Sequence, residues 1–268
     1  VAIDPKVAQW TYSGLYVAEV PAGGELSLDT DGKELVVLPL RGSGVAEVDG
    51  RVFQLKGRSG VFKAVSDFLY VPVGSDARLV SSDGGRFAFP WAKASRRFEP
   101  AYRSASQVPV EIRGAGSCTR QVNNFCTPES FPYAENLIAV EVITPEGNWS
   151  SYPPHKHDHA GPEETQLEEI YYFEVEKEKG FAIQRLYTLD GSLNLTEEVH
   201  TGDVVTIPFG YHGPSMAAPG YHLYYLNVMA GPERVWRFCY DPAHAWIRDT
   251  WESEAPDPRL PLTRPPAD

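Results

Sequence analysis

The chain has 268 residues, 42% of them hydrophobic and 22% charged, with a formal net charge of −12. That charge speaks against nucleic acid or an anionic membrane as partner, since both require a basic surface. It leaves room for a small anion held by a few local cations. No apolar run approaches the ~20 residues that span a bilayer, and the opening VAIDPKVAQW lacks a basic-then-apolar signal pattern. Three cysteines, Cys118, Cys126 and Cys239, are too few and too widely spaced for a disulfide framework or a zinc knuckle. The expectation is a cytoplasmic protein with reduced thiols.

Abundant Gly and Pro punctuate short runs of Val, Ile, Tyr and Phe, the pattern of strands and turns. In chain order, Glu34-Leu-Val-Val-Leu-Pro39 reads as a strand, Asp49-Gly50 as a turn and Arg51–Leu55 as the returning strand. Next, Asp67-Phe-Leu-Tyr-Val-Pro72-Val-Gly74 reads as a buried strand stopped by Pro-x-Gly. From Lys93 to about Val108 periodicity lapses and Ser, Arg and Pro accumulate, which marks a boundary. Beyond it come the strand Glu169-Ile-Tyr-Tyr-Phe173, a turn at Gly180, and the strand Phe181–Tyr187. Then Asp203-Val-Val-Thr-Ile-Pro208-Phe-Gly210-Tyr-His212 repeats the pattern that ran from Asp67 to Asp76. The expected architecture is all-β, two barrels in tandem over 1–108 and 109–251. The proline-rich tail 252–268 reads as an extended arm, able to wrap onto a neighbouring subunit of a homo-oligomer.

The histidines break the symmetry between the halves. All seven (155, 157, 159, 200, 212, 222 and 244) follow residue 150, and Asp76 stands where His212 has its counterpart. The first half is therefore structural, interfacial or a lid. In Pro153-Pro-His155-Lys-His157-Asp-His159, strand alternation puts His155 and His157 on one face. A carboxylate from the strand at Leu167-Glu168-Glu169 and His212 from the repeat would complete a shell of three imidazoles and one carboxylate. Only one of Glu168 and Glu169 can face inward. Inward Glu169 brings Tyr171 and Phe173 with it; inward Glu168 brings Ile170 and Tyr172. Such a shell suits one divalent ion, Zn, Mn, Fe, Co or Ni, without choosing among them. His159 and His200 read as loop residues and His222 as structural, while His244 in Asp241-Pro-Ala-His244 is placed to close the barrel mouth.

At these residues the chain resembles a cupin, with His-x-His-…-Glu and Gly-…-Pro-x-Gly-…-His motifs, the second one residue short. It is more closely similar to the 5-deoxy-glucuronate isomerase family of inositol catabolism. The likeness runs through Val110–Gly116, Arg120–Val122, Glu141-Val-Ile-Thr-Pro-Glu-Gly-Asn-Trp-Ser-Ser-Tyr-Pro-Pro-His-Lys-His-Asp158, Leu167–Tyr172, Gln184–Thr188 and Pro219–Pro232. It covers 110–246 densely and the first half only in outline. The related 5-keto-4-deoxyuronate isomerases share the two-barrel, jelly-roll-type plan, and their ligand Glu corresponds to Glu169.

The resemblance implies aldose–ketose isomerisation between 5-deoxy-D-glucuronate and 5-dehydro-2-deoxy-D-gluconate, by proton transfer through an enediolate. That chemistry needs a base, an acid and a centre to hold negative charge on oxygen, which a divalent ion supplies without redox change. The substrate carboxylate calls for a cation. Arg185 is the first candidate, with Arg113 and Arg120 as rivals, and Tyr171, Tyr187 and Tyr224 are candidates for its hydroxyls. The base is not identified by the sequence; His244, a metal-bound water or a carboxylate compete for it. Three alternatives share the shell: a 5-keto-4-deoxyuronate-type isomerase, an iron-dependent dioxygenase, and a non-catalytic sugar-binding protein.

Overall fold

The computed structural model describes residues 1–266. Its first half is one rolled nine-stranded sheet built around Lys33–Val48, which pairs antiparallel with Arg51–Arg58, Phe68–Val71, Ala77–Ser81 and Gly85–Lys93. A strand this long serves both sides of the roll by bending at Gly42, whose φ is +95°. A Cβ there would meet the Gly84 carbonyl oxygen at 2.6 Å, so only glycine permits the crossing.

Residues Leu35 to Leu40 contain no polar residue because both faces of this stretch are covered. Leu35 and Val37 point into the barrel's own core with Leu55, Leu69, Leu79 and Phe87. Val36, Leu38 and Leu40 point outward into a second core shared with Ala139, Ile170, Tyr172, Leu226 and Val228 of the other half. Continuous apolar runs are the signature of strands buried on both faces.

The second half packs two six-stranded antiparallel sheets face to face. One has the spatial order Val110–Arg113, Arg120–Cys126, Ile138–Thr144, Leu223–Ala230, Glu168–Val175, Val204–Ile207. The other has Asn194–Val199, Ala182–Tyr187, Tyr211–Ala217, His155–Lys156 and Cys239–Tyr240, with Trp149–Ser150 beside Tyr211–Ala217. Val122, Val140, Phe173, Leu186 and Tyr225 fill the space between them. The chain leaves the first sheet after Ala101–Arg103, which pairs with Phe68–Val71, and enters the second at Val110. The sequence repeat serves one structural purpose in both halves. Asp67 accepts the Lys56 and Gly57 amides ahead of Phe68–Val71, and Asp203 accepts the His200 amide ahead of Val204–Ile207.

Polar clamps fasten the halves together. Arg58 and Glu141 form an ion pair with side chains 0% and 2% exposed, and Asn123 and Tyr224 also donate to Glu141. Glu34 accepts the amides of Glu135, Asn136 and Leu137 and the Tyr70 hydroxyl. Among the described residues the tail lies on its own chain. Asn148 donates to Asp257, Gln121 and Thr263 exchange hydrogen bonds, and the Arg264 carbonyl accepts the Val65 amide. The arm is thus a strap joining both barrels. Among the described residues no helix is long and apolar enough to cross a membrane.

Candidate metal centre

The site forms where the two inner faces of the second barrel meet. Glu169 stands opposite Met229 on one side and Ile207 on the other, and alternation turns it inward with Tyr171 and Phe173. Glu168 faces the first barrel, where it accepts the amides of Thr11, Tyr12 and Ser13 at 2.6, 2.7 and 2.9 Å. From the opposing sheet come His212, paired with His155 on one side and Leu186 on the other. His157 follows two residues after His155.

His157, Glu169 and His212 offer one donor atom each, all within 4.8 Å of one another, and all three residues are buried. Glu169 Oε2 lies 3.0 Å from His157 Nε2 and 2.9 Å from His212 Nε2. His155 stands at the edge of this group, its Nε2 3.1 Å from that of His212. The ring nitrogens on the far side explain the arrangement. His157 Nδ1 faces the Leu167 carbonyl at 3.2 Å and His155 Nδ1 faces the Pro153 carbonyl at 3.4 Å. A ring nitrogen facing a carbonyl carries the proton, so each Nε2 turns a lone pair toward the cluster. A carboxylate oxygen this close to both Nε2 atoms calls for a positive partner, a proton on a ring or a cation held between them. Glu169 Oε1 is buried with no donor, a further acceptor awaiting a positive partner. The residues fit a divalent ion.

The charges of the cluster are strongly coupled. Burial, reinforced by the neighbouring His212, pushes the His155 pKa well below its ordinary value and keeps the ring neutral. Burial would raise the Glu169 carboxyl, but His212 and His157 outweigh it and hold the pKa low. His157 is shifted upward, since Glu169 outweighs its burial.

The other sequence candidates part company here. Tyr171 lines the interior, its ring 6.0 Å from His212 and its hydroxyl sharing Ser151 Oγ with that of Tyr225. Tyr224 does not: adjacent to Tyr225, it takes the opposite face and donates to Glu141 between the barrels. Arg185 and Tyr187 make no hydrogen bond to the cluster. Arg185 falls at a register shift between Gln184 and Leu186, half-buried, with its guanidinium 3.9 Å from the Tyr187 ring. The Tyr187 hydroxyl donates to Asp241. His244 lies beside the Tyr152 ring at 6.3 Å and makes no hydrogen bond with the cluster. His222 accepts the Glu146 amide at 2.9 Å, a structural role, and His159 and His200 are exposed.

Two polar groups missed by sequence reasoning belong to the interior. Asn227 Oδ1, opposite Tyr171, and Trp236 Nε1 are buried without partners. Asn227 interrupts an otherwise apolar strand, the one local signal that marked it. Phe238 packs over His155 with ring centroids 4.6 Å apart. A 540 Å³ concavity at Arg97 and Tyr133 and a 370 Å³ cleft at Tyr16 and Trp91 contain no histidine, whereas a 430 Å³ hollow is lined by Lys156, Asp158, Gly210 and Tyr211, the chain neighbours of His155, His157 and His212.

Comparison with known proteins identifies the family. The profile described as "KduI/IolB family" matches residues 1–247. A protein named 5-deoxy-glucuronate isomerase from Geobacillus thermodenitrificans is 41% identical over 253 residues, 93% of this chain and 91% of that protein. One of the same name from Bacillus subtilis is 38% identical over 240 residues, 88% of each. The crystal structure of an IolB-like protein from Salmonella typhimurium superposes with a TM-score of 0.88 at 36% identity, covering 92% of this chain and 94% of that one. Bacillus subtilis oxalate decarboxylase superposes at 0.63 with 13% identity over 89% of this chain and 74% of its own, a likeness of fold alone. The fold is cupin-type and all-β.

Proposed function

Because this chain belongs to the KduI/IolB family, we propose that it is a metal-dependent isomerase interconverting 5-deoxy-D-glucuronate and 5-dehydro-2-deoxy-D-gluconate in inositol catabolism. The carrying observation is the buried group His157, Glu169 and His212, with His155 at its edge, in a chain about 40% identical to proteins of that name. In this reading the four residues hold one divalent ion, and Mn, Fe, Co, Ni and Zn all suit them. When bound, such an ion supplies Lewis acidity to the carbonyl and neighbouring hydroxyl and stabilises the enediolate charge.

The chain's own groups do the rest. The Pro153 and Leu167 carbonyls fix the His155 and His157 rings with Nε2 directed inward. Glu169 keeps the site's positive charge from rejecting the rings, and its own carboxyl is held ionised by them. Burial raises the Tyr171 and Tyr225 phenols, so both stay protonated and present hydroxyls through the shared Ser151 to substrate oxygens. Phe238 over His155 excludes water from that side, which strengthens each polar interaction within.

The test is direct conversion. Metal-loaded protein incubated with 5-deoxy-D-glucuronate in D₂O without oxygen should yield the ketose by NMR, with deuterium introduced at the former aldehyde carbon. No conversion by metal-replete protein would refute the proposal, and turnover that requires oxygen would indicate a dioxygenase.

A further inference from the structure

Two arginines are buried in this molecule, and they differ in one respect. Arg58 engages all three of its guanidinium nitrogens: Nε donates to the Pro39 carbonyl, Nη1 to the Ala64 carbonyl, and Nη2 pairs with Glu141. Arg120 has only Nη1 engaged, with the Cys118 carbonyl at 3.1 Å and the Tyr152 carbonyl at 3.3 Å. Among the described residues Nε and Nη2 make no hydrogen bond and no carboxylate pairs with it. Yet its residue is only 7% exposed. A guanidinium does not give up its proton in a protein, so Arg120 is a buried cation without an anion, which is costly unless something else supplies the charge.

Its position says what that is. Arg120 shares a strand face with Val122, which fills the second barrel's interior. The phenols of Tyr171 and Tyr225 both feel its charge, and Tyr171 lies 6.0 Å from His212. Its main-chain partner Tyr152 is three residues before His155. Trp251, just before the tail, covers the guanidinium at 5.7 Å. Arg113, the cross-strand partner of Arg120, is already paired with Glu111 through bonds of 2.9 and 2.8 Å. We propose that Arg120 binds the carboxylate of the sugar acid through its free Nε–Nη2 edge, while the aldehyde end lies at the His155–His157–Glu169–His212 cluster. This rests on the isomerase reading and takes from Arg185 the role that the sequence suggested. The planar fork matches a carboxylate bidentately, and the Arg185 guanidinium is stacked instead on the Tyr187 ring at 3.9 Å.

The test uses metal-loaded full-length protein, wild type beside Arg120→Met and Arg120→Lys, on 5-deoxy-D-glucuronate and on 5-deoxy-D-glucose, the same aldose with an alcohol for the acid. Losing a charge-assisted bidentate contact should raise KM for the acid about 100-fold in the Met variant and about tenfold in the Lys variant. Bound metal should be unchanged, and the neutral sugar should be handled equally by all three proteins. An unchanged KM for the acid, or an equal loss on both sugars, overturns the assignment. If the Met variant does not fold, the Lys variant decides alone. If wild-type protein turns over neither sugar, the isomerase reading fails separately. Calorimetric titration with D-glucuronate then judges Arg120: binding weakened at least tenfold by either variant sustains it, and equal binding refutes it.

Discussion

Replacing Glu168 by Ala should separate two jobs that neighbouring carboxylates perform. Glu168 is half-buried between the barrels, and its oxygens accept three main-chain amides at 2.6, 2.7 and 2.9 Å and the Ser13 hydroxyl at 3.3 Å. Hydrogen bonds to a charged acceptor contribute about 1.5–3 kcal/mol each when both partners are buried. Here Thr11 is exposed and Tyr12 half-buried, so water can replace two of the three amide bonds. The expected loss is therefore about 2–4 kcal/mol rather than the full sum. Urea unfolding read by Trp fluorescence measures it, with Trp10 well placed because its indole N–H donates to the Ser13 carbonyl. Bound metal, measured in parallel by elemental analysis, should stay at the wild-type level. Glu169→Gln should behave in the opposite sense, losing metal. A Glu168→Ala protein that releases its metal, or whose stability falls by less than ~0.5 kcal/mol, would refute the assignment of faces.

Other consequences follow from the same geometry. His157→Ala and His212→Ala should each reduce bound metal sharply and His155→Ala less so, since His155 stands at the edge of the cluster; equal retention in all three would place the ion elsewhere. Glu141→Gln leaves Arg58 buried without its counter-charge and should cost about 3–5 kcal/mol in denaturant unfolding; a cost below ~1 kcal/mol would show that the pair is not buried as described. Arg185→Ala should leave KM for the sugar acid near wild type, because its guanidinium stacks on the Tyr187 ring; a large rise would return it to the site. In metal-stripped protein, Glu169 is shifted below its ordinary 4.5 and His157 above its ordinary 6.5. The carboxylate's contribution is present above pH 4.5 and lost as pH falls; the imidazolium's is present below 6.5 and lost as pH rises through its raised value. Stability of the stripped protein should peak between these limits, and Glu169→Gln should flatten the peak. An unchanged profile would contradict the pairing.

How much of this could be read from the chain alone depended on whether local pattern or long-range packing decides the matter. The three histidines of the cluster were legible because their type is confined to one half and their spacing follows strand alternation. The choice between Glu168 and Glu169 was not settled by pattern. Ile170, Tyr172, Tyr171 and Phe173 are all apolar, since one face meets the barrel interior and the other meets the neighbouring barrel. The same double burial misplaced Tyr224, one residue from the inward Tyr225. Arg185 sits next to inward-facing Gln184 and Leu186, and no local feature reports which face an arginine takes on such a strand. Arg120 was recognisable only as one cation among several. Its distinguishing property, a buried guanidinium half unbonded, is created by Tyr152 and Trp251 arriving from distant segments. The proline-rich tail has the composition of a free arm. Its docking depends on partners at Val65, Gln121 and Asn148, far away in sequence.

The central claim is that isomerisation depends on one ion held by His155, His157, Glu169 and His212. Metal should be stripped with a chelator and restored in graded amounts, and bound ion per chain followed together with the initial rate of 5-deoxy-D-glucuronate conversion. The account predicts a rate that vanishes in the stripped protein and rises in proportion to occupancy up to one ion per chain. Full turnover by metal-free protein, or a rate indifferent to occupancy, would contradict it.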